Sequence, residues 1–141
     1  MVQKFLKDKK HLLLALTAVA AVVTGLLLCY YHFRPQASVG NKEILVDIVY
    51  EDGSKESFSI QTDALYLEQA LETTQGLEIE GSRSEQFGLM IETINGVTAI
   101  YGKDHAYWSI ELNGSPCNYG VSQQPIQDNE HYQFVYTVVD R

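Results

Sequence analysis

Apolar residues fall into two unlike patterns along this chain. Residues 12–31 are twenty positions without a charge, dominated by Leu, Ala and Val and interrupted by Thr17, Thr24 and Gly25. As a helix, at about 1.5 Å per residue, such a run spans roughly the 30 Å of a bilayer's hydrocarbon core. Past residue 43 the run gives way to alternation. Ile44, Val46, Ile48 and Tyr50 alternate with positions that include Asp47 and Glu51, the mark of a half-buried strand. Asp52-Gly53 follows as a turn, and Phe58 and Ile60 continue a second strand. Residues 63–75 read as a helix. Thr62 or Asp63 can cap it, Leu67, Ala70, Leu71 and Thr74 share a face, and Gly76 stops it.

The rest alternates again. Leu77 and Ile79 suggest a short strand, and residues 89–94 a stronger one ending at Asn95-Gly96. Residues 107–112 form another, ending at Asn113-Gly114. Residues 131–139 place Tyr132, Phe134, Tyr136 and Val138 on one face, after a turn at Asp128-Asn129-Glu130. Hairpin turns around one helix predict an α+β fold: a mostly antiparallel sheet with one packed helix, β-grasp-like, preceded by one N-terminal transmembrane helix.

Charge sharpens the division. Residues 1–34 carry five Lys and Arg against one Asp, a net +4, whereas residues 35–141 carry five against seventeen Asp and Glu, a net −12. The Lys-rich flank before the apolar run predicts a cytoplasmic N-terminus and an extracytoplasmic remainder. The reading is therefore a tail at 1–11, a transmembrane signal-anchor at 12–33, a spacer at 34–43 and a folded domain at 44–141, in a single-pass protein of the cell membrane. Two other readings stay open: cleavage near Pro35-Gln36-Ala37, and lipidation of Cys29, which follows Leu28. A net −12 repels phosphate backbones, which excludes nucleic acid as a partner.

Candidate chemistry is sparse. The chain has no G-x-S-x-G, no H-E-x-x-H, no phosphate loop and no G-x-G-x-x-G, so no catalytic residue and no metal site is expected and the protein reads as a non-enzyme. His105 and His131 sit beside Asp104 and Glu130 and read as turn histidines, a metal or corrin-metal ligand being the alternative. Cys117 reads as a half-buried residue rather than a reactive thiol, and no disulfide with Cys29 is expected. The concentration of aromatics says more. Tyr107, Trp108 and Tyr119 lead into the uncharged loop Gly120-Val121-Ser122-Gln123-Gln124, which suits a neutral, polar, flat ligand. Strand alternation sets Trp108 with Ile110 and Leu112, opposite Tyr107, Ser109 and Glu111. Trp108 is thereby claimed by the core and by a ligand at once.

Three runs carry a resemblance: "LEQALE", "FGLMIETINGVTA" and "HAYWSIELNGSPCNYGVSQQPIQDNEHYQFVYT". With the motifs Ile94-Asn95-Gly96, Tyr107-Trp108, Asn113-Gly114, Tyr119-Gly120, Asp128-Asn129-Glu130 and Phe134-Val135-Tyr136, residues 43–139 resemble the transcobalamin-like C-terminal domain family. Asn129 stands where that family often has Gly, a substitution that a positive φ tolerates. The resemblance implies a cobalamin or other corrinoid ligand, bound rather than used as a catalytic cofactor, at Tyr107, Trp108, Tyr119, Gly120, Val121, Ser122, Gln123 and Gln124. It also implies an energy-coupling-factor vitamin-transporter subunit as partner. The large helical domain that closes the site in animal carriers is missing from this chain. Binding of another surface protein or a cell-wall polymer is the alternative.

The charge pattern makes a testable statement about topology. Protease added to intact cells should remove residues 35–141 and leave the Lys4–Lys10 tail protected. Cleavage of the tail instead would reverse the assignment.

Overall fold

A computed structural model describes residues 1–34, 36–37 and 39–140; for Phe5 and Leu6 it describes the backbone alone. The chain divides into two compact units, Met1–Pro35 and Gln36–Arg141. The first is one helix, α1 (Val2–Phe33), which begins well before the apolar run. Thr17 and Thr24 turn their hydroxyls back onto the carbonyls of Leu14 (2.9 Å) and Ala20 (2.8 Å), so neither interruption leaves a donor unpaired. Among the described residues this helix alone is long and apolar enough to cross a membrane, a test that a signal sequence also passes.

The second unit is α+β, as the patterning predicts. Its elements are β1 (Lys42–Val49), β2 (Lys55–Thr62), α2 (Leu67–Glu72), β3 (Ile79–Ser84), β4 (Gly88–Ile94), β5 (Val97–Thr98), α3 (Tyr101–Asp104), β6 (Ala106–Leu112), β7 (Ser115–Pro116) and β8 (His131–Val138). The strands make two sheets rather than one, a five-stranded sheet in the order β2-β1-β8-β6-β7 and a three-stranded one in the order β3-β4-β5. Among the described residues only the central β1–β8 pairing is parallel. The even-numbered residues of β1, β6 and β8 face one core: Ile44, Val46, Ile48, Trp108, Tyr132 and Phe134 are buried there with Leu67, Ala70 and Leu71 of α2.

The turn signals hold where two strands meet tightly. Asn95-Gly96 (φ 47° and 79°) and Asn113-Gly114 (φ 50° and 85°) close two-residue hairpins between Ile94↔Val97 and Leu112↔Ser115. Asn129 takes φ 64°, as expected of an Asn in that turn. Within the three-stranded sheet the register shifts at Glu80/Gly81 between β3 and β4. A Cβ on Gly81 would collide with the Met90 carbonyl, so the bulge requires glycine.

The helix predicted over 63–75 is shorter than its sequence signal. α2 covers only Leu67–Glu72, with Tyr66 as N-cap and no side-chain cap. Tertiary pairing overrides propensity at its start. Tyr66 forms a β-bridge with Pro125, and Ile126 N donates to Leu65 O at 3.1 Å. The Thr62 hydroxyl, one of the two predicted caps, instead accepts from Ala64 N at 3.0 Å in a turn before the helix.

Trp108 is 6% exposed and lies edge-on to Tyr50 (5.9 Å between centroids, 82°) and Tyr136 (5.5 Å, 87°). Its indole Nε1 is buried without a partner among the described residues. Trp108→Ala should cost about 3–5 kcal/mol, the range for large aromatic truncations in cores. Trp108→Phe should cost far less, within about 1.5 kcal/mol, because it also removes an orphan donor whose burial costs about 1–3 kcal/mol. Thermal melts of both variants, followed by circular dichroism, check the pair.

Candidate functional site

The tight turn at Asn113-Gly114 sends the chain back along β6 for only two paired residues. One more bond follows, Cys117 N to Ile110 O at 2.9 Å, before the chain leaves the strand. The departure opens a cleft of about 460 Å³ whose walls include Tyr107, Trp108, Ile110, Glu111, Cys117 and Tyr119. Tyr107 and Tyr119 are 43% and 40% exposed, so both rings present surface to an incoming molecule. On the same sheet face the Thr137 hydroxyl donates to Ser109 Oγ (3.0 Å), which donates to Val135 O (3.3 Å). Burial, then the negative charges of Glu130 and Glu111, push the Cys117 thiol up to about 11, so it stays protonated at neutral pH and is a poor nucleophile.

The eight residues singled out from the sequence divide between cleft and interior. Tyr107, Trp108 and Tyr119 come together in the cleft. Gly120 and Gln123 lie on the exposed rim of the loop, where Gln123 Nε2 donates to Gln86 O at 3.1 Å. Val121, Ser122 and Gln124 are committed to the fold. Val121 is fully buried and its carbonyl accepts from Glu68 N (3.0 Å). The Gln124 carbonyl accepts from Leu67 N (2.9 Å), while its side-chain amide donates to Pro125 O (3.0 Å). Ser122 Oγ donates to the Glu68 carboxylate and accepts from Leu89 N (2.9 Å). The loop expected to offer amides to a ligand instead gives two backbone carbonyls to the start of α2 and both glutamine amides to carbonyls of the fold.

Sequence reasoning missed the polar centre of this arrangement. Glu68, in the first turn of α2, is buried and binds both Ser122 and the Arg83 guanidinium. Its only signal was a carboxylate beside Leu67 on the apolar face of the helix. Gly88 belongs to the same centre: it has φ 71°, and a Cβ there would strike the Ser122 side chain. The β3–β4 hairpin tip was also missed, and it sets Phe87, 57% exposed, next to Gly120.

A second cluster lies on the outward face of β1. His131 Nε2 meets Asp47 Oδ2 at 2.7 Å, Ser57 Oγ donates to Asp47 Oδ1 at 2.6 Å, and Lys55 Nζ approaches Oδ2 at 3.2 Å. His131 is thus hydrogen-bonded to a buried carboxylate rather than free in its turn. Among the described residues no group of three or more His, Cys, Asp or Glu side chains is arranged to hold a metal ion.

A family model described as a domain of unknown function, DUF4430, matches residues 64–137. Two solved structures share the fold. A candidate metal-binding protein from Ruminococcus gnavus ATCC 29149 superposes with a TM-score of 0.61 and 26% identity, over 70% of this chain and 99% of that one. Haptocorrin in complex with Cbi superposes with a TM-score of 0.59 and 16% identity, over 75% of this chain and 26% of haptocorrin. No curated protein matches in sequence.

The two buried carboxylates predict an acid limit to stability. For Asp47, burial, the largest single influence, pushes the carboxyl up, but hydrogen bonds from Ser57, His131 and Lys55 outweigh it and hold the carboxyl below its ordinary 3.8. For Glu68, burial again opposes, and Ser122 and Arg83 together hold the carboxyl below 4.5. A carboxyl lowered by folding stabilises the native state above its unfolded value and loses that contribution as pH falls through the folded one. Stability should therefore fall below about pH 4.5, and Asp47→Asn and Glu68→Gln should each flatten that fall while lowering stability at pH 7. Urea melts between pH 3 and 7 measure both effects.

Proposed function

The chain belongs to the DUF4430 family of domains of unknown function, and on that footing we propose that it is a membrane-anchored, extracytoplasmic module that binds a corrinoid or similar flat cofactor without transforming it. The carrying observation is the cleft beside β6, where the exposed rings of Tyr107 and Tyr119 share one concavity of about 460 Å³ with the strand edge at Trp108. Aromatic faces stack on flat ligands, and backbone edges hydrogen-bond amide substituents. The fold shared with haptocorrin, solved with Cbi, supports a corrinoid as the first ligand to test. The transcobalamin-like motifs at Tyr107-Trp108 and Tyr119-Gly120 point the same way.

An open cleft covers one side of such a ligand, so the module binds weakly alone and a partner completes the site. A vitamin-transporter subunit in the same membrane fits that role, with α1 as the anchor that keeps the two together. The protonated Cys117 and the His131 ring hydrogen-bonded to Asp47 fit binding rather than chemistry.

Cobinamide and cobalamin titrated calorimetrically into the full chain in detergent micelles test this reading. Binding in the micromolar to millimolar range is expected, and Tyr119→Ala should weaken it by about tenfold, a loss of about 1.4 kcal/mol. Being on the rim, Tyr119→Ala should leave thermal stability within about 1 kcal/mol of the parent. Absence of heat for either corrinoid up to millimolar concentration would overturn the reading.

A further inference from the structure

β6 carries two sets of backbone groups, and one of them is largely unspent. Its register with β8 runs unbroken from Ala106↔Val138 to Leu112↔Tyr132. Just beyond the two ends, Val139 N donates to His105 O (2.7 Å) and Asn113 N to His131 O (2.8 Å). In an antiparallel pair the hydrogen-bonded positions alternate, so the odd-numbered residues of β6 bond to β8 and the even-numbered ones point the other way. On that other side β7 takes Leu112, and Cys117 takes the Ile110 carbonyl. Among the described residues nothing takes the N–H of Ile110, or the N–H and C=O of Trp108.

Sheets usually blunt such an edge with Lys, Pro or a covering segment. The stretch Ala-Tyr-Trp-Ser-Ile at 106–110 contains neither Lys nor Pro, and the segment that could cover it turns away after Cys117. Three unspent groups in strand alternation are the template for an added strand. The surroundings select its charge. Glu111 is in the cleft wall and no Lys or Arg is, within a unit whose residues 35–141 carry a net −12. Glu130 adds a second carboxylate near Cys117, whose thiol is raised first by burial and then by the charges of Glu130 and Glu111.

We propose that the edge of β6 at Trp108 and Ile110 docks an extended, Lys- or Arg-bearing segment of a partner protein as an added strand. About five residues of that segment, roughly 16 Å, would lie in the lane that the chain vacates after Cys117. Cationic side chains on the face of Tyr107 and Glu111 would meet the Glu111 carboxylate. A second copy of this chain is a poor occupant, because it brings another Glu111 and another −12. The inference stands without the corrinoid reading, and because the strand would fill the same cleft, the two occupants compete for it.

The test uses the full chain in detergent micelles and a capped octapeptide of alternating Thr and Lys, with a Glu-for-Lys counterpart as control. Amide exchange at Trp108 and Ile110 should slow by at least about tenfold on adding the Lys peptide, while Tyr107, Ser109 and Glu111, already bonded to β8, should not change. Ile110→Pro, which deletes an outward N–H that edge strands can spare, should abolish peptide binding. Should that variant fail to fold, exchange on the unaltered chain decides. No protection up to millimolar peptide, equal protection by the Glu peptide, or protection that grows with protein concentration alone would overturn the proposal, the last because the occupant would be a second copy.

Discussion

A helix of six residues has too few internal hydrogen bonds to hold itself together, so α2 stands only because another part of the chain completes its N-terminus. The carbonyls of Gln124 and Val121 take the first two helical N–H groups, at Leu67 and Glu68. Glu68 then reaches from the helix to Ser122 and Arg83. That one junction joins α2, the loop at 120–125 and the β3–β4 hairpin, three pieces far apart in sequence. It also sets the loop's shape, with Gly120 O accepting from both Gln123 N and Gln124 N. Whatever the loop presents outward is what remains after this internal commitment.

The cleft beside β6 is a consequence of the same commitment. The chain leaving β7 could continue pairing along β6, or it could travel to the start of α2, but not both. It travels, and Tyr119 marks where it has left the strand. The lane next to Trp108 is therefore empty of backbone, while the Trp108 side chain is packed inside between Tyr50 and Tyr136. One residue thus serves as core on its side-chain face and as an open edge along its backbone. The sequence pattern, which sets Trp108 with Ile110 and Leu112 and beside Tyr107, carries both roles without separating them.

On the outward face the parallel junction of β1 with β8 has its own tie. Parallel neighbours have no hairpin to set their register. Asp47, on β1, is held by Ser57 and Lys55 of β2 and by His131 of β8, so one buried carboxylate stitches three strands. A charged residue at an outward strand position becomes interior because its neighbours close over it, at 1% exposure. Its stabilising effect comes from three partners converging on a carboxyl that burial by itself would push up.

Local chemistry settled the apolar helix, the strands and the two tight hairpins. A run of twenty uncharged residues, alternation in β1 and β8, and Asn-Gly pairs that accept positive φ are local patterns; the strands and hairpins formed where theirs lay, and α1 covers the apolar run and extends back to Val2. The class of the folded unit and the inward face of Trp108 were legible for the same reason. What depended on distant partners was not. The shortening of α2 needed Pro125 beside Tyr66; the bulge between β3 and β4 needed Met90 against Gly81; the interior places of Val121, Ser122 and Gln124 needed Glu68 and Leu67 across the core. A polar, uncharged loop reads the same in sequence whether its polar groups face a ligand or a helix terminus. Only the tertiary structure decides, because a buried N–H without a partner costs more than a lost contact with solvent, and the nearest carbonyls are taken by the fold first.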